Sequence, residues 1–130
     1  MNFNWSRRSS DDVPTLYKVT GRATRNGQPV NDLRIHFVPE AGRESTAMLD
    51  ADGRFRLQFG WERDGALPGN HRVWCERPPK TPQEDIDMQS GTFDMPVDAQ
   101  AILDKYGAVE KTPLTISVDM DGQQVSLELD

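Results

Sequence analysis

Apolar and polar residues alternate with a period of two along most of the chain, and short Gly-, Asn- and Asp-containing turns interrupt the alternation. In the first such segment Tyr17, Val19, Gly21 and Ala23 fall on one face, and Lys18, Thr20, Arg22 and Thr24 on the other. Successive side chains of a strand point to opposite faces, so the pattern predicts a strand buried on one side only. Asn26-Gly27 tolerates the positive φ of a tight hairpin, and Gln28-Pro29-Val30 opens the returning strand. Leu33, Ile35 and Phe37 alternate with Arg34, His36 and Val38 in a second strand, which stops at Pro39. A turn over Glu40 to Ser45 leads to a third strand, Thr46 to Leu49. Asp50-Ala51-Asp52-Gly53 predicts a hairpin into Arg54 to Phe59, where Phe55, Leu57 and Phe59 share a face. A loop from Gly60 to Asn70 carries Trp61. The next strand, His71 to Glu76, turns Val73 and Cys75 inward and Trp74 outward with Arg72 and Glu76.

The rhythm fails between Pro78 and Pro96, a proline-rich acidic stretch that reads as an irregular crossover. Ala99, Ile102, Leu103 and Tyr106 fit helical spacing, so one short helix is expected over Asp98 to Tyr106, ended by Gly107. Ala99 to Tyr106 is expected to dock on a sheet, and Thr81 to Thr92 to be mobile or held by a partner. Leu114, Ile116 and Val118 then alternate, and Asp121-Gly122 predicts a last hairpin into Val125, Leu127 and Leu129. The expected fold is all-β, a seven-stranded antiparallel sandwich over residues 14–130 behind an N-terminal arm of residues 1–13. Its expected core is Val19, Ile35, Phe37, Phe55, Leu57, Val73, Ile116, Val118, Val125 and Leu127.

Composition narrows the function. A chain of 130 residues makes one domain, and nine Pro with ten Gly suit short strands rather than long helices. The net charge of −6 argues against nucleic acid, whose phosphates are neutralised by Lys and Arg. No apolar run approaches a membrane span. Cys75 stands alone, so no intramolecular disulfide forms, and it is expected to be a small core residue. Met1 to Asp12 lacks the apolar stretch of a secretion signal, and Arg7-Arg8 runs into Ser-Ser-Asp-Asp rather than an export sequence. The expected location is the envelope, periplasm or exterior where a leader has been removed, and the cytoplasm otherwise.

Val19-Thr20-Gly21 with Asn26-Gly27-Gln28-Pro29-Val30, then Phe37-Val38-Pro39, then Leu49-Asp50-Ala51-Asp52-Gly53-Arg54-Phe55, resembles the carboxypeptidase regulatory-like, or transthyretin-like, domains. The tail Ile102-Leu103-Asp104-Lys105-Tyr106-Gly107, followed by Thr112 to Val118, a Gly turn and a last alternating strand, is similar to a bacterial envelope-associated, lipoprotein-type subgroup. The resemblance spans about residues 15 to 129. It implies a prealbumin-like Greek-key sandwich in a cell-envelope setting, with no defined reaction. Ala23, Asn31-Asp32 and His71 depart from the family's usual residues without bearing on the fold.

Candidate chemistry is sparse. His36, His71, Tyr17 and Tyr106 match the ligand types of a ferric site in a ring-cleaving dioxygenase family with a related sandwich. The two His are far apart in sequence, and by alternation His36 points away from the Ile35 and Phe37 face while Tyr17 points toward the core, so no metal is expected. Transthyretin-like hydrolases that open a urate-derived ring end in Tyr-Arg-Gly-Ser, whereas this chain ends Ser126-Leu127-Glu128-Leu129-Asp130. Asp50, Asp52 and Gly53 hint at a calcium loop, but Trp61 stands where the loop's bidentate Glu belongs. Asp119, Asp121 and Gly122 read likewise as a turn, and no Gly-x-Ser-x-Gly elbow occurs. No catalytic residue and no cofactor is expected. The candidate binding residues are Trp61, Trp74 and Tyr106, with Trp61 the more exposed ring and Trp74 expected beneath the 78–107 crossover. The expected role is a non-catalytic module contacting a protein or envelope component. The alternative is carbohydrate binding through the Trp side chains, and a metal-dependent or hydrolytic enzyme stands third.

Overall fold

Val19–Arg25 forms β1, with Val19 and Ala23 buried and Thr20 and Arg22 exposed, as the alternation requires. The computed structural model describes residues 14–61 and 63–130, so the arm expected over residues 1–13 lies outside the described residues. Asn26 and Gly27, at φ 52° and 81°, turn the chain into β2, Gln28–Pro29. The further strands are β3 (Arg34–Pro39), β4 (Ser45–Met48), β5 (Arg54–Arg56), β6 (Gln58–Phe59), β7 (Arg63–Asp64), β8 (Gly69–Glu76), β9 (Thr115–Val118) and β10 (Gln123–Glu128). One sheet holds β10, β1 and β2 in that order, with β5 also paired to β1; the other runs β7-β6-β4-β3-β8-β9. Buried residues of both sheets form one core around Phe37, Leu57, Ile35, Val73 and Leu127. The all-β class therefore holds, with ten strands among the described residues instead of seven.

Three expectations about pairing are corrected. Arg54 to Phe59 is two strands: β5 joins β1, and β6 joins β4 in the other sheet. Leu57 makes the transfer, since its amide donates to Val19 O at 3.0 Å and its carbonyl accepts from Gly65 N at 2.9 Å. The Asp50–Gly53 turn exists, but it leads from one sheet to the other. Asp121-Gly122 also closes no hairpin, because β9 pairs with β8 and β10 with β1. The β1–β10 ladder is parallel, so the fold is not purely antiparallel. Alternation says which face is buried and nothing about which neighbour a strand meets. The crossing after β9 is held by Gln123, whose Oε1 accepts from Asp119 N at 2.7 Å while its Nε2 donates to Ser117 O at 2.8 Å.

The crossover contains two helices where one was expected. The first, α1, is Pro82–Ser90. Thr81 Oγ1 accepts from Glu84 N at 3.0 Å, Pro82 opens the first turn, and Gly91 caps the end at φ 76°. These end signals suffice for a helix that buries none of its residues, in the stretch expected to be irregular. The second, α2, is Val97–Tyr106, which seats Ile102 and Tyr106 in the core, as anticipated for the docked part. Gly107 N closes it on Leu103 O at 2.9 Å. Of the expected core, Ile116 and Val125 are only half-buried. No helix among the described residues is long and apolar enough to cross a membrane.

Candidate functional site

His36 and Trp74 are cross-strand partners in the β3–β8 ladder, on the face turned away from the core. The rings stack with centroids 4.1 Å apart and 10° between planes. His36 Nδ1 lies 3.1 Å from Glu44 Oε1, and Nε2 lies 2.6 Å from Glu76 Oε2. Each ring nitrogen thus faces a carboxylate oxygen, which holds the ring in place. Arg34 Nη1 adds a positive charge 4.0 Å from Glu76 Oε2. His36 is only 6% exposed although it points outward, because these neighbours enclose it. Neither nitrogen is left to move a proton for a substrate. Trp74 is therefore half-covered by its own sheet. Ile102 and Tyr106, the residues expected to cover it, enter the core instead.

The other two aromatic candidates part company. Trp61, in the turn between β6 and β7, is 93% exposed, as expected of the loop ring. Strands β4 and β3 stand between β6 and β8, so Trp61 and Trp74 form no common platform. Tyr106, a candidate binding residue by sequence, lies in the core. It is 5% exposed, and its hydroxyl donates to Asp130 O at 3.2 Å. A ring so enclosed has no face to offer a ligand.

The remaining reactive groups lie in the core or in turns, His71 with its Nδ1 buried and unpartnered among the described residues. Burial pushes the Cys75 thiol up to about 12, which keeps it protonated and unreactive. His71 lies in the core against Phe37 and shares a 2.7 Å hydrogen bond between Nε2 and Leu67 O. Asp50 Oδ1 accepts from Asp52 N and Arg54 N, both at 2.9 Å, which is the work of a turn. Among the described residues no group of three or more His, Cys, Asp or Glu is placed to hold a metal ion.

One feature escaped the sequence. A cavity of about 230 Å³ lies where α2 meets the β1–β2 turn and the start of β3, with Val30, Leu33, Ala99 and Ile102 in its apolar wall. Arg25 and Arg77 contribute its guanidinium groups. Arg25 Nη1 donates to Leu129 O at 3.0 Å, while the buried Nε has no hydrogen-bond partner among the described residues. Asp98 Oδ1 stands 3.9 Å from that Nε, beyond hydrogen-bond reach. Arg77, with its side chain 7% exposed, donates to Glu84 Oε1 at 2.9 Å and lies 5.2 Å over the Phe93 ring. That hydrogen bond, helped by the Lys80 amide, holds the Glu84 carboxyl below its ordinary range. Arg25 ends one strand and Arg77 follows another, so no local spacing announced the pair. Comparison with protein-family profiles, with curated proteins and with solved structures gives no match.

Proposed function

We propose that the chain is a non-catalytic binding module whose contact residue is Trp61 and whose partner is a protein or another component of the cell envelope. The observation that carries the reading is the 93% exposure of Trp61 on the β6–β7 hairpin, whose first strand also pairs with β4. An indole held in water beside paired strands is a ready anchor, since Trp is enriched at the buried centres of interfaces. The engagement of His36, His71 and Cys75 in the sheet and core supports the absence of catalysis from this reading. Membership of the carboxypeptidase regulatory-like family, with its Greek-key prealbumin topology, belongs to the same proposal. Two sheets sharing one core and the Asn26-Gly27 turn support it.

Carbohydrate binding is the second reading, and the same exposed indole favours it, because a flat aromatic face stacks on a sugar ring. Retention of wild-type protein and Trp61→Ala on envelope protein fractions and on a polysaccharide panel separates the two. The module reading expects retention by a protein fraction that the substitution removes. Retention by polysaccharide alone, lost in Trp61→Ala, would establish the second reading, and retention indifferent to Trp61 would end both.

A further inference from the structure

We infer that the outward face of the β10–β1–β5 sheet is a binding site for a compact soluble diphosphate, a small molecule with two linked phosphate groups. In the β1–β5 ladder Arg22 stands directly opposite Arg54, and Thr20 stands opposite Arg56. All four residues are exposed, so three of these four outward positions carry a positive charge and none a negative one. Opposed side chains on paired strands are about 5 Å apart, and alternate residues along a strand about 7 Å. Like charges so placed destabilise the ladder unless an anion lies over them. Unpaired surface cations occur elsewhere in the chain, but no other described ladder sets two Arg directly opposite each other. None of the three has a carboxylate within ion-pair distance among the described residues.

The neighbouring strand extends the donor face. β10 lies beside β1 with Gln124 opposite Thr20 and Ser126 opposite Arg22, both exposed. Arg22 Nε donates to Asp52 O at 3.0 Å, which fixes one edge of its guanidinium and leaves the Nη groups directed elsewhere. Together these side chains line an open groove of about 920 Å³. A guanidinium meets phosphate through paired N–H···O bonds, and two linked phosphates carry enough oxygens to serve donors on both sides of the ladder. Acidic residues bound the patch and limit the ligand's length. Asp50, whose Oδ1 accepts from the Asp52 and Arg54 amides, stands in the wall, and Glu128 follows Ser126 on the outward side of β10. A long polyanion would run onto these carboxylates, whereas a compact one stays on the arginines. Phe55 in the wall is buried, so no aromatic face is offered to a base or a sugar. Met48 is the one exposed large hydrophobic residue of the wall, too little to hold an acyl chain, which favours a soluble ligand over a lipid headgroup.

Trp61 belongs to the other sheet, so this proposal and the Trp61 contact can fail separately. The test is an amide NMR titration of the full chain with pyrophosphate, and with orthophosphate at matched ionic strength. Saturable shifts are expected at Thr20 to Arg22, Arg54 to Arg56 and Gln124 to Ser126. Orthophosphate should bind at least about tenfold more weakly, the loss expected when one charge-assisted pair is removed. Arg54→Gln and Arg56→Gln should each weaken pyrophosphate by about tenfold, in proteins that melt no lower than wild type because a repulsion has been relieved. Arg43→Gln, the same change of net charge outside the groove, should leave the affinity within about twofold. Absence of saturable shifts, an affinity indifferent to Arg54 and Arg56, or an equal loss in Arg43→Gln would each overturn the assignment. Binding to phosphatidylcholine–phosphatidic acid vesicles with no response to free pyrophosphate would overturn it as well.

Discussion

The imidazole of His36 lies flat on the indole of Trp74, 4.1 Å away, with a carboxylate at each of its nitrogens. A stacked aromatic pair of this kind is worth about 0.5–1.5 kcal/mol beyond the area it buries. Trp74→Leu is therefore expected to lower stability by about 0.5–1.5 kcal/mol, measured by urea unfolding, with the fold retained. A change below about 0.3 kcal/mol would show that the stack contributes nothing.

The core offers a sharper contrast. Phe37 and Phe55 are buried, and their rings lie 6.2 Å apart across the two sheets. Truncating either to Ala should cost about 3–5 kcal/mol and leave little folded protein, whereas the exposed Arg56→Ala should change stability by under about 0.5 kcal/mol. Gly21→Ala belongs with the severe group. A Cβ there would stand 2.5 Å from Val125 O and 2.6 Å from the Phe55 ring, so the β1–β10 ladder itself would have to shift. Thermal melts that leave Gly21→Ala and wild type alike would contradict this packing.

Much of the architecture was legible because burial follows alternation. Val19, Ile35, Phe37, Phe55, Leu57, Val73, Val118 and Leu127 are all buried, and Asn26-Gly27 makes its turn. Pairing was less legible, because Leu57 moves the chain between sheets through backbone bonds that its side chain does not encode. Helix α1 was written in its ends, with Thr81 before it, Pro82 and Glu84 in its first turn and Gly91 after it. It was missed for want of an apolar face. The exposure of Trp61 was legible from its loop, whereas the helical spacing of Tyr106 suits a core anchor, which is where the ring lies. The Arg25–Arg77 cavity arises from long-range folding and left no local signature.

Because α1 rests on its caps and buries nothing, losing a cap should be a local event. Thr81→Ala removes the bond to Glu84 N, a change of about 1 kcal/mol in helix stability. Amide exchange across Pro82 to Ser90 should accelerate several-fold while the global melting temperature stays put. A drop in global stability of the same size would show that α1 folds as one unit with the sheets.

Cys75 gives the protein a pH dependence of known sign. Its thiol rises from about 9.0 when unfolded to about 12 in the core. Between those values the unfolded chain loses a proton that the folded chain keeps, so its contribution is full below about 9 and is lost as pH rises toward 12. Wild type should lose stability relative to Cys75→Ala over that window, by at most about 1.4 kcal/mol per pH unit. Parallel stability profiles for the two proteins would refute it.

The binding reading is tested most directly at the Trp61 indole itself. The indole N–H resonances of the folded protein are followed while an envelope protein fraction that retains it is added. The Trp61 signal is expected to shift or broaden while that of Trp74, stacked on His36, stays unchanged. Retention with the Trp61 signal unmoved would contradict the account.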